Sequence, residues 1–210
     1  KAADGLVVHG QLFKPSTSST SSPQIRSLRQ GSGQAGQGGV VEAKRPAIVF
    51  VHGGPPRQML LGWHHMYYYA NSYAVNQYLA SRGFIVLSVN YRLGIGYGHD
   101  FQSPERGGTR GASEYQDVLA GGKYLQTRPD VDPARIGIWG GSYGGYATLA
   151  GAAFTPELYG CGVDIVGPSN IMTLIASVPP YWEPLLKLFH HRVGDPATDE
   201  ARLKEQSPLF

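Results

Sequence analysis

Cysteine and long apolar runs are both scarce in this sequence. Cys161 is the single cysteine among 210 residues, so the chain cannot form an internal disulfide bond. Its apolar neighbours favour a packed thiol over a reactive one. The longest apolar runs, AIVFV and FIVLSV, are far shorter than the roughly 20 residues that a membrane-spanning helix requires. We therefore expect neither a disulfide framework nor a membrane span.

The excess of positive over negative charge is also small. The 18 Lys and Arg residues exceed the 15 Asp and Glu residues by only 3, and they form no basic block. A nucleic acid is therefore a poor candidate for a partner. The opening KAADGLVVHG lacks the apolar segment of a signal peptide. Because the sequence does not begin with methionine, its localisation stays open between cytoplasmic and secreted or periplasmic.

Residues 15–45 differ in composition from the rest of the chain. They are rich in Ser, Gly and Gln and nearly lack aromatic side chains, so we expect a flexible insertion. Gly31, Gly33 and Gly36 match the spacing of a dinucleotide-binding turn, but no strand pattern precedes them and no helix pattern follows. We therefore interpret 15–45 as a linker and predict no cofactor.

Strand and helix patterns alternate through the other residues. Strands are expected at 4–15, 47–54, 84–92, 134–141 and 161–167. Helices are expected at 71–83, 111–129 and 143–154. This alternation predicts one α/β domain, in which right-handed crossovers build a mainly parallel sheet with helices on both faces.

A serine lies among four glycines directly after the fourth of these strands. In RIGIWGGSYGGYATLAG, residues 135–151, Ser142 completes the pattern G-x-S-x-G between a strand and a helix. This is the context of a nucleophile elbow, in which a strained turn holds the serine hydroxyl above the sheet and its neighbours must lack bulky side chains. The alternative is a glycine-rich turn in which Ser142 caps the helix.

A second glycine turn, His52-Gly53-Gly54-Pro55, ends the second expected strand. In the elbow architecture, the oxyanion hole combines the amide after the nucleophile with an amide from the turn after an earlier strand. The amides of Tyr143 and of Gly54 or Gly53 fit these roles, because bare backbone lets a substrate carbonyl approach closely. Taken alone, the turn is also explained as an ordinary glycine–proline turn.

Several motifs, taken in order, resemble one family. VHGGP, VNYRLGIGYGHDF, IWGGSYGGYATLAG, VDIVGPSN and the final SPLF resemble the catalytic domain of the prolyl oligopeptidase family, in its acylaminoacyl-peptidase and dipeptidyl-peptidase-like branch. The resemblance implies an α/β-hydrolase fold over 1–210, interrupted by the insertion at 15–45, and an N-terminal β-propeller in the full-length protein. It also implies a serine peptidase that hydrolyses oligopeptides without a metal or cofactor.

The same resemblance assigns roles to residues of this chain. It makes Ser142 the nucleophile that forms the acyl-enzyme, and the Tyr143 amide an oxyanion donor. Some relatives use a tyrosine hydroxyl where this chain has His52, so the second donor is expected to be the backbone of the HGGP turn. Arg92 lies in a loop that matches the family near the active-site rim, although a structural ion pair also explains it.

The base and the carboxylate that would complete a catalytic triad are not evident. A serine hydroxyl needs an adjacent base that a carboxylate orients, and in this fold the order is serine, acid, histidine. We considered Ser142, Asp164 and His190, but Asp164 lies in an apolar strand and His190 at a helix end. The family places both residues after SPLF, where this sequence stops. We therefore expect a C-terminally truncated domain that lacks them.

Five apolar or aromatic residues are candidates for the substrate pocket. Three of them lie at or after the end of the fifth expected strand, near the carboxyl end of the sheet, where ligands bind in α/β folds, and two lie farther along in the hydrophobic YWEPLLKLF stretch. They are Val166, Ile171, Leu174, Tyr181 and Trp182. Ordinary helix packing also explains Tyr181 and Trp182.

Two pairs of polar side chains receive structural interpretations. His64 and His65 have no Cys or carboxylate nearby, so a loop over the active-site mouth is favoured over a metal site, and we predict no metal. Glu114 and Asp117 are expected to be solvated charges on a helix.

Two other functional classes stay open beside the peptidase. An esterase or lipase of the same fold shares the elbow chemistry, although the set of peptidase-type motifs argues against it. A non-catalytic domain that serves in binding or assembly conflicts with the intact elbow, but the missing base keeps it open for this chain.

We predict that the 210-residue chain by itself has negligible hydrolase activity and poor solubility. It lacks a base for Ser142, and a sheet without its last strands would leave an edge uncovered. Activity is checked with a peptide p-nitroanilide, and Ser142→Ala is the matched variant. Turnover by the unaltered chain that disappears in Ser142→Ala would contradict the prediction.

Overall fold

Five strands form one mixed sheet in this computed structural model, which describes residues 1–16, 43–105 and 113–210. The strands are β1 His9–Phe13, β2 Arg45–Val51, β3 Ile85–Asn90, β4 Val131–Gly141 and β5 Cys161–Ile165. Their order across the sheet is β1-β3-β2-β4-β5. Residues 17–42, most of the expected insertion, lie outside the described residues.

The parallel strands share one edge at which their carboxyl ends meet. β2 pairs in parallel with both β3 and β4, and β5 pairs in parallel with β4. β1 runs antiparallel to β3 at the far side of the sheet, with His9 opposite Asn90 and Phe13 opposite Val86. The expectation of a mainly parallel sheet is confirmed, and the loops after β2, β4 and β5 emerge side by side.

Helices connect the parallel strands and follow the last one. They are α1 Tyr67–Ser81, α2 His99–Gln102, α3 Ser113–Thr127, α4 Tyr143–Phe154, α5 Ile171–Ala176, α6 Glu183–Arg192 and α7 Glu200–Gln206. α1 begins at Tyr67, and His64 and His65 lie in the loop that precedes it. Within the described residues, none of these helices is long and apolar enough to cross a membrane.

Both faces of the sheet are covered, as the side chains of β2 demonstrate. Val49 and Val51 pack in one apolar cluster with Val118 of α3 and Ala147 of α4. Phe50 points to the opposite face and packs in a second cluster that includes residues of α1. The uninterrupted apolar run AIVFV is therefore explained by a strand that helices cover on both sides.

The segments after β5 pack as a unit against α4. Their apolar cluster contains Tyr146, Ile171, Ile175, Val193 and Leu203. Ser207 Oγ accepts the Ile171 N–H at 2.9 Å and donates to the Leu203 carbonyl at 2.7 Å. The Leu209 N–H donates to the Ser169 carbonyl at 3.0 Å. These bonds hold the VGPSN and SPLF motifs against each other.

β5 forms an edge of the sheet, and every residue of this strand is exposed. Cys161 is exposed there, so the expectation of a packed thiol is wrong. The apolar sequence around Cys161 indicates a strand, but an edge strand buries its side chains only where another element covers it.

Arg92 forms a buried ion pair with Asp117 of α3 just after the end of β3. Arg92 Nε and Nη2 donate to the Asp117 carboxylate at 2.9 and 2.7 Å, and the Arg92 backbone N–H donates to it at 2.9 Å. Arg92 also contacts Asp4. The ion-pair interpretation of Arg92 is confirmed. The expectation that Glu114 and Asp117 are solvated is wrong, because both side chains are buried in the core.

We predict that Asp117→Asn lowers the free energy of unfolding of this domain by about 3 kcal/mol, because it leaves a buried guanidinium without its main carboxylate. Urea-induced unfolding of the full-length protein measures the change. Asp132→Asn is the matched control, since Asp132 pairs with Arg135 at 2.6 Å on the surface and such pairs contribute little. Equal shifts for the two variants would contradict the prediction.

Candidate active site

Ser142 lies at the point where β4 ends and α4 begins, and it is exposed. Its backbone has φ 58° and ψ −117°, a strained conformation for a residue with a side chain. The Ser142 N–H donates to the Ile165 carbonyl of β5 at 2.9 Å, and the Ser142 carbonyl accepts the Tyr146 N–H of α4 at 3.0 Å. These two bonds fix the turn and leave the side chain accessible.

Two glycines allow this turn to pack on the end of β2. A Cβ atom at Gly140 or at Gly144 would overlap the carbonyl oxygen of Val51. The atom in the way belongs to the backbone of a central strand and cannot move aside cheaply. The glycines of G-x-S-x-G are therefore required by a close approach between two strand ends, and capping of a helix by Ser142 does not explain them.

The second glycine turn lies directly beside the serine. A Cβ atom at Gly53 would be 3.2 Å from Ser142 Cβ and 2.8 Å from the Gly141 carbonyl oxygen. Gly54 has φ +130°, precedes a cis proline and shares two cavities with Ser142. Because Tyr143 is the first residue of α4, the helix provides no acceptor for its N–H. The candidate nucleophile and the three candidate oxyanion residues are thus neighbours.

A stack of three rings joins the two glycine turns. The Tyr91 ring lies 4.4 Å from the His52 ring and 5.4 Å from the Tyr143 ring, measured between centroids. The Tyr91 hydroxyl donates to the His52 carbonyl at 2.6 Å, and the Tyr143 hydroxyl donates to Glu114 at 3.1 Å. Tyr91 therefore sets the spacing between the HGGP turn and the elbow. Its role was missed, because nothing local in the sequence indicates which rings will stack.

The two buried histidines near the site form hydrogen bonds with backbone atoms of neighbouring loops. Burial lowers the pKa of His52 to about 4, and its Nδ1 lies 2.8 Å from the Gly53 carbonyl. His64 Nε2 lies 3.1 Å from the Gln58 carbonyl, and His64 Nδ1 accepts the Met66 N–H at 3.0 Å. Both rings are therefore neutral and engaged in fixing loops. Within the described ranges, no group of three or more His, Cys, Asp or Glu side chains could hold a metal ion.

Ser142 lines two cavities, and Gly54, Val166, Trp182 and Phe189 also line both of them. The first, of about 440 Å³, also contains Arg57, Met66, Tyr68, Tyr69, Leu188 and Val193, and we name it the Arg57 cavity. The second, of about 560 Å³, also contains Ser169, Asn170, Thr173, Leu174 and Ser177, and we name it the Asn170 cavity. The candidate nucleophile therefore borders two cavities large enough to hold part of a substrate.

The five expected pocket residues divide between these cavities and other places. Val166 and Trp182 line both cavities, and Leu174 lines the Asn170 cavity. Ile171 lines neither, because it packs in the core beneath α5. Tyr181 also lines neither, and 79% of it is exposed to solvent. Sequence spacing could not predict which of the five residues line a cavity, since it does not show which side of a short helix faces the sheet.

The structure does not assemble Ser142, Asp164 and His190 into a triad. Asp164 Oδ1 accepts the Gly167 N–H at 2.8 Å and thereby fixes the turn after β5. His190 Nδ1 lies 3.6 Å from a carboxylate oxygen of Asp195 on a different loop. Both side chains are therefore engaged away from the serine.

Comparison with known proteins identifies the family. Residues 70–209 match the prolyl oligopeptidase family, and the chain belongs to it. It is 42% identical over 180 residues to dipeptidyl aminopeptidase BIII of Pseudoxanthomonas mexicana, which covers 85% of this chain and 25% of that protein. It is 32% identical over 216 residues to dipeptidyl peptidase family member 6 of Caenorhabditis elegans, which covers 100% of this chain and 27% of that protein.

Comparison with a solved structure supports the same family assignment. The acylaminoacyl peptidase of Pyrococcus horikoshii is 30% identical with a TM-score of 0.70, over 100% of this chain and 28% of that one. The resemblance inferred from the motifs and the α/β-hydrolase fold are both confirmed. The chain spans about a quarter of the length of the curated relatives it matches.

We predict that Tyr91→Phe in the full-length protein lowers kcat for a peptide substrate roughly fivefold and leaves KM nearly unchanged. Phenylalanine keeps the ring stack but removes the donor to the His52 carbonyl, so the HGGP turn is held less firmly. Tyr78→Phe is the matched control, because Tyr78 is an exposed ring on α1. An unchanged kcat in Tyr91→Phe, or a change confined to KM, would contradict this role.

Proposed function

We propose that the protein containing this domain is a serine peptidase that hydrolyses oligopeptides through an acyl-enzyme on Ser142. The observation that carries the proposal is the strained, exposed Ser142 with the bare backbone of Gly53 and Gly54 beside it. A nucleophile held in this way meets a substrate carbonyl without having to reorganise. Membership of a peptidase family, with relatives named dipeptidyl and acylaminoacyl peptidases, supports the choice of peptide bonds.

In the proposed reaction, Ser142 Oγ bonds to the carbonyl carbon and gives its proton to a base. The amides of Tyr143 and of Gly54 or Gly53 would donate to the oxygen that becomes negative. One such donor typically contributes about 3 kcal/mol to lowering the barrier. Collapse of the tetrahedral species breaks the C–N bond while the base returns its proton to the leaving nitrogen, which departs as an amine. Water then gives a proton to the base and adds to the acyl carbonyl carbon. Breakage of the ester bond releases the carboxylic acid, and the base returns the proton to Ser142 Oγ.

The base and its orienting carboxylate are the parts of the mechanism that the described residues do not supply. All seven histidines of the chain lie within the described residues, and none of them forms a hydrogen bond with Ser142 Oγ there. We propose that an aspartate and a histidine from elsewhere in the full-length protein complete the triad. A β-propeller N-terminal to this domain is part of the same proposal, and both rest on family resemblance.

An esterase or lipase of the same fold is the second candidate function. Acyl transfer to Ser142 would proceed in the same way for an ester, and an ester is the easier bond to break. A non-catalytic role in binding or assembly is the third candidate. It is disfavoured because backbone strain at Ser142 would then have no use.

We predict that a fluorophosphonate probe labels the full-length protein and fails to label Ser142→Ala. Ser169→Ala, which changes a serine in the wall of the Asn170 cavity, serves as the control and should be labelled normally. The same three proteins are then compared on a peptide p-nitroanilide and on a p-nitrophenyl ester. Absence of labelling in the unaltered protein would overturn the catalytic assignment. Labelling together with ester hydrolysis but no peptide hydrolysis would favour the esterase.

A further inference from the structure

Arg57 places a positive charge in the wall of the cavity that contains Ser142. It follows the HGGP turn, three positions after Gly54, and its side chain lines the Arg57 cavity. The loop around it is fixed, because the Arg57 N–H donates to the Pro55 carbonyl at 2.6 Å and the Arg57 carbonyl accepts the Ile95 N–H at 3.1 Å. Backbone hydrogen bonds therefore fix the loop from which the Arg57 side chain extends, next to the candidate oxyanion hole.

No carboxylate within the described ranges lies at ion-pair distance from the Arg57 guanidinium. Other arginines differ in this respect, since Arg92, Arg128, Arg135 and Arg202 each pair with an aspartate. Arg57 Nη1 instead lies 3.2 Å from Met66 Sδ, which is a weak acceptor, and the Arg57 side chain also hydrogen-bonds the Tyr69 side chain. Because both partners are uncharged, the positive charge of Arg57 is not neutralised and can attract an anion.

The surroundings of Arg57 do not cancel its charge. The rest of the cavity wall is mainly apolar or aromatic, including Met66, Trp182, Leu188 and Phe189. Burial, followed by smaller effects that include the Arg57 charge, lowers the pKa of His64, so that ring stays neutral at neutral pH. An anion in this cavity would therefore meet one positive group, on an exposed side chain, beside a mainly apolar wall.

The second cavity that Ser142 lines differs in charge from the Arg57 cavity. The residues that line the Asn170 cavity are all uncharged, and its polar groups include Ser169, Asn170, Thr173 and Ser177. The two cavities at Ser142 thus differ by one full positive charge. A peptide lying across Ser142 would be oriented by where its own negative group lies.

We propose that Arg57 is a specificity-determining residue that binds a carboxylate of the peptide substrate. This inference rests on the proposed peptidase function and adds a substrate class to it. The carboxylate is either an acidic side chain or the free C-terminus of a short peptide, and the planar guanidinium can hold it through two parallel hydrogen bonds. A substrate of either kind gains affinity and a defined direction across Ser142.

The test uses the full-length protein and one peptide in matched versions. The versions carry a free C-terminal carboxylate or a C-terminal amide, and Glu or Gln at an internal position. The first variant is Arg57→Met, which removes the charge but keeps a side chain of similar length. The second is Arg57→Lys, which keeps the charge but loses the planar guanidinium that can donate two parallel hydrogen bonds. Arg82→Met is the control for loss of a positive charge, because Arg82 is exposed at the end of α1.

We expect Arg57→Met to lower kcat/KM for the carboxylate version roughly tenfold or more and to leave its neutral counterpart within about twofold. Arg57→Lys should give an intermediate loss, and Arg82→Met should behave as the unaltered protein. A loss confined to the peptide with a free C-terminus, compared with its amide, identifies the C-terminal carboxylate as the group that Arg57 binds. A loss confined to the Glu peptide, compared with its Gln version, identifies an acidic side chain. Equal losses on charged and neutral peptides, or no loss on either, would overturn the inference.

A second readout separates failure of this inference from failure of the proposed function. Both peptide pairs, C-terminal acid with amide and internal Glu with Gln, are tested for protection of Ser142 against a fluorophosphonate probe, which requires no peptide hydrolysis. Stronger protection by the carboxylate member of either pair in the unaltered protein, lost in Arg57→Met, supports carboxylate binding. Labelling with no preference for the carboxylate in either pair overturns the role of Arg57 alone. No labelling of the unaltered protein overturns the catalytic function, and the inference with it.

Discussion

The close packing of the Ser142 turn on the end of β2 is the constraint from which the rest of the site follows. Gly140 and Gly144 have no side chain because the Val51 carbonyl occupies the space that a Cβ atom would need. The same turn is bonded to Ile165 at the end of β5. Three strand ends therefore hold one serine, and the precision of the site derives from the sheet rather than from its loops.

The wall around the serine is neutral apart from one group. His52 stays uncharged because burial lowers its pKa to about 4, and burial raises the pKa of Tyr91 and Tyr143 well above the usual range. In the proposed reaction, a neutral wall leaves the backbone amides as the main partners of the developing negative charge. Arg57 is the one charged residue among those that line the two cavities, and we propose that it selects a substrate carboxylate.

The strands, the connecting helices and the elbow could be predicted from the sequence because each depends on a local pattern. AIVFV indicates a strand buried on two faces, and G-x-S-x-G between a strand and a helix indicates the elbow. The burial and the contacts of a side chain could not be predicted where they depend on residues far away in the sequence. Helical spacing groups Glu114 with Asp117 but does not reveal that Arg92 neutralises one of them in the core. It likewise places Ile171 and Tyr181 after β5 without saying which way each faces, and it does not reveal that Cys161 lies on an uncovered edge.

A crystal structure of the full-length protein with a peptide phosphonate bound covalently tests the central claim most directly. The account predicts a bond from phosphorus to Ser142 Oγ. It further predicts that one phosphonyl oxygen lies about 2.7–3.1 Å from the backbone nitrogen of Tyr143 and from that of Gly54 or Gly53. A phosphonyl oxygen directed at solvent or at a side chain, with those amides turned away, would contradict it.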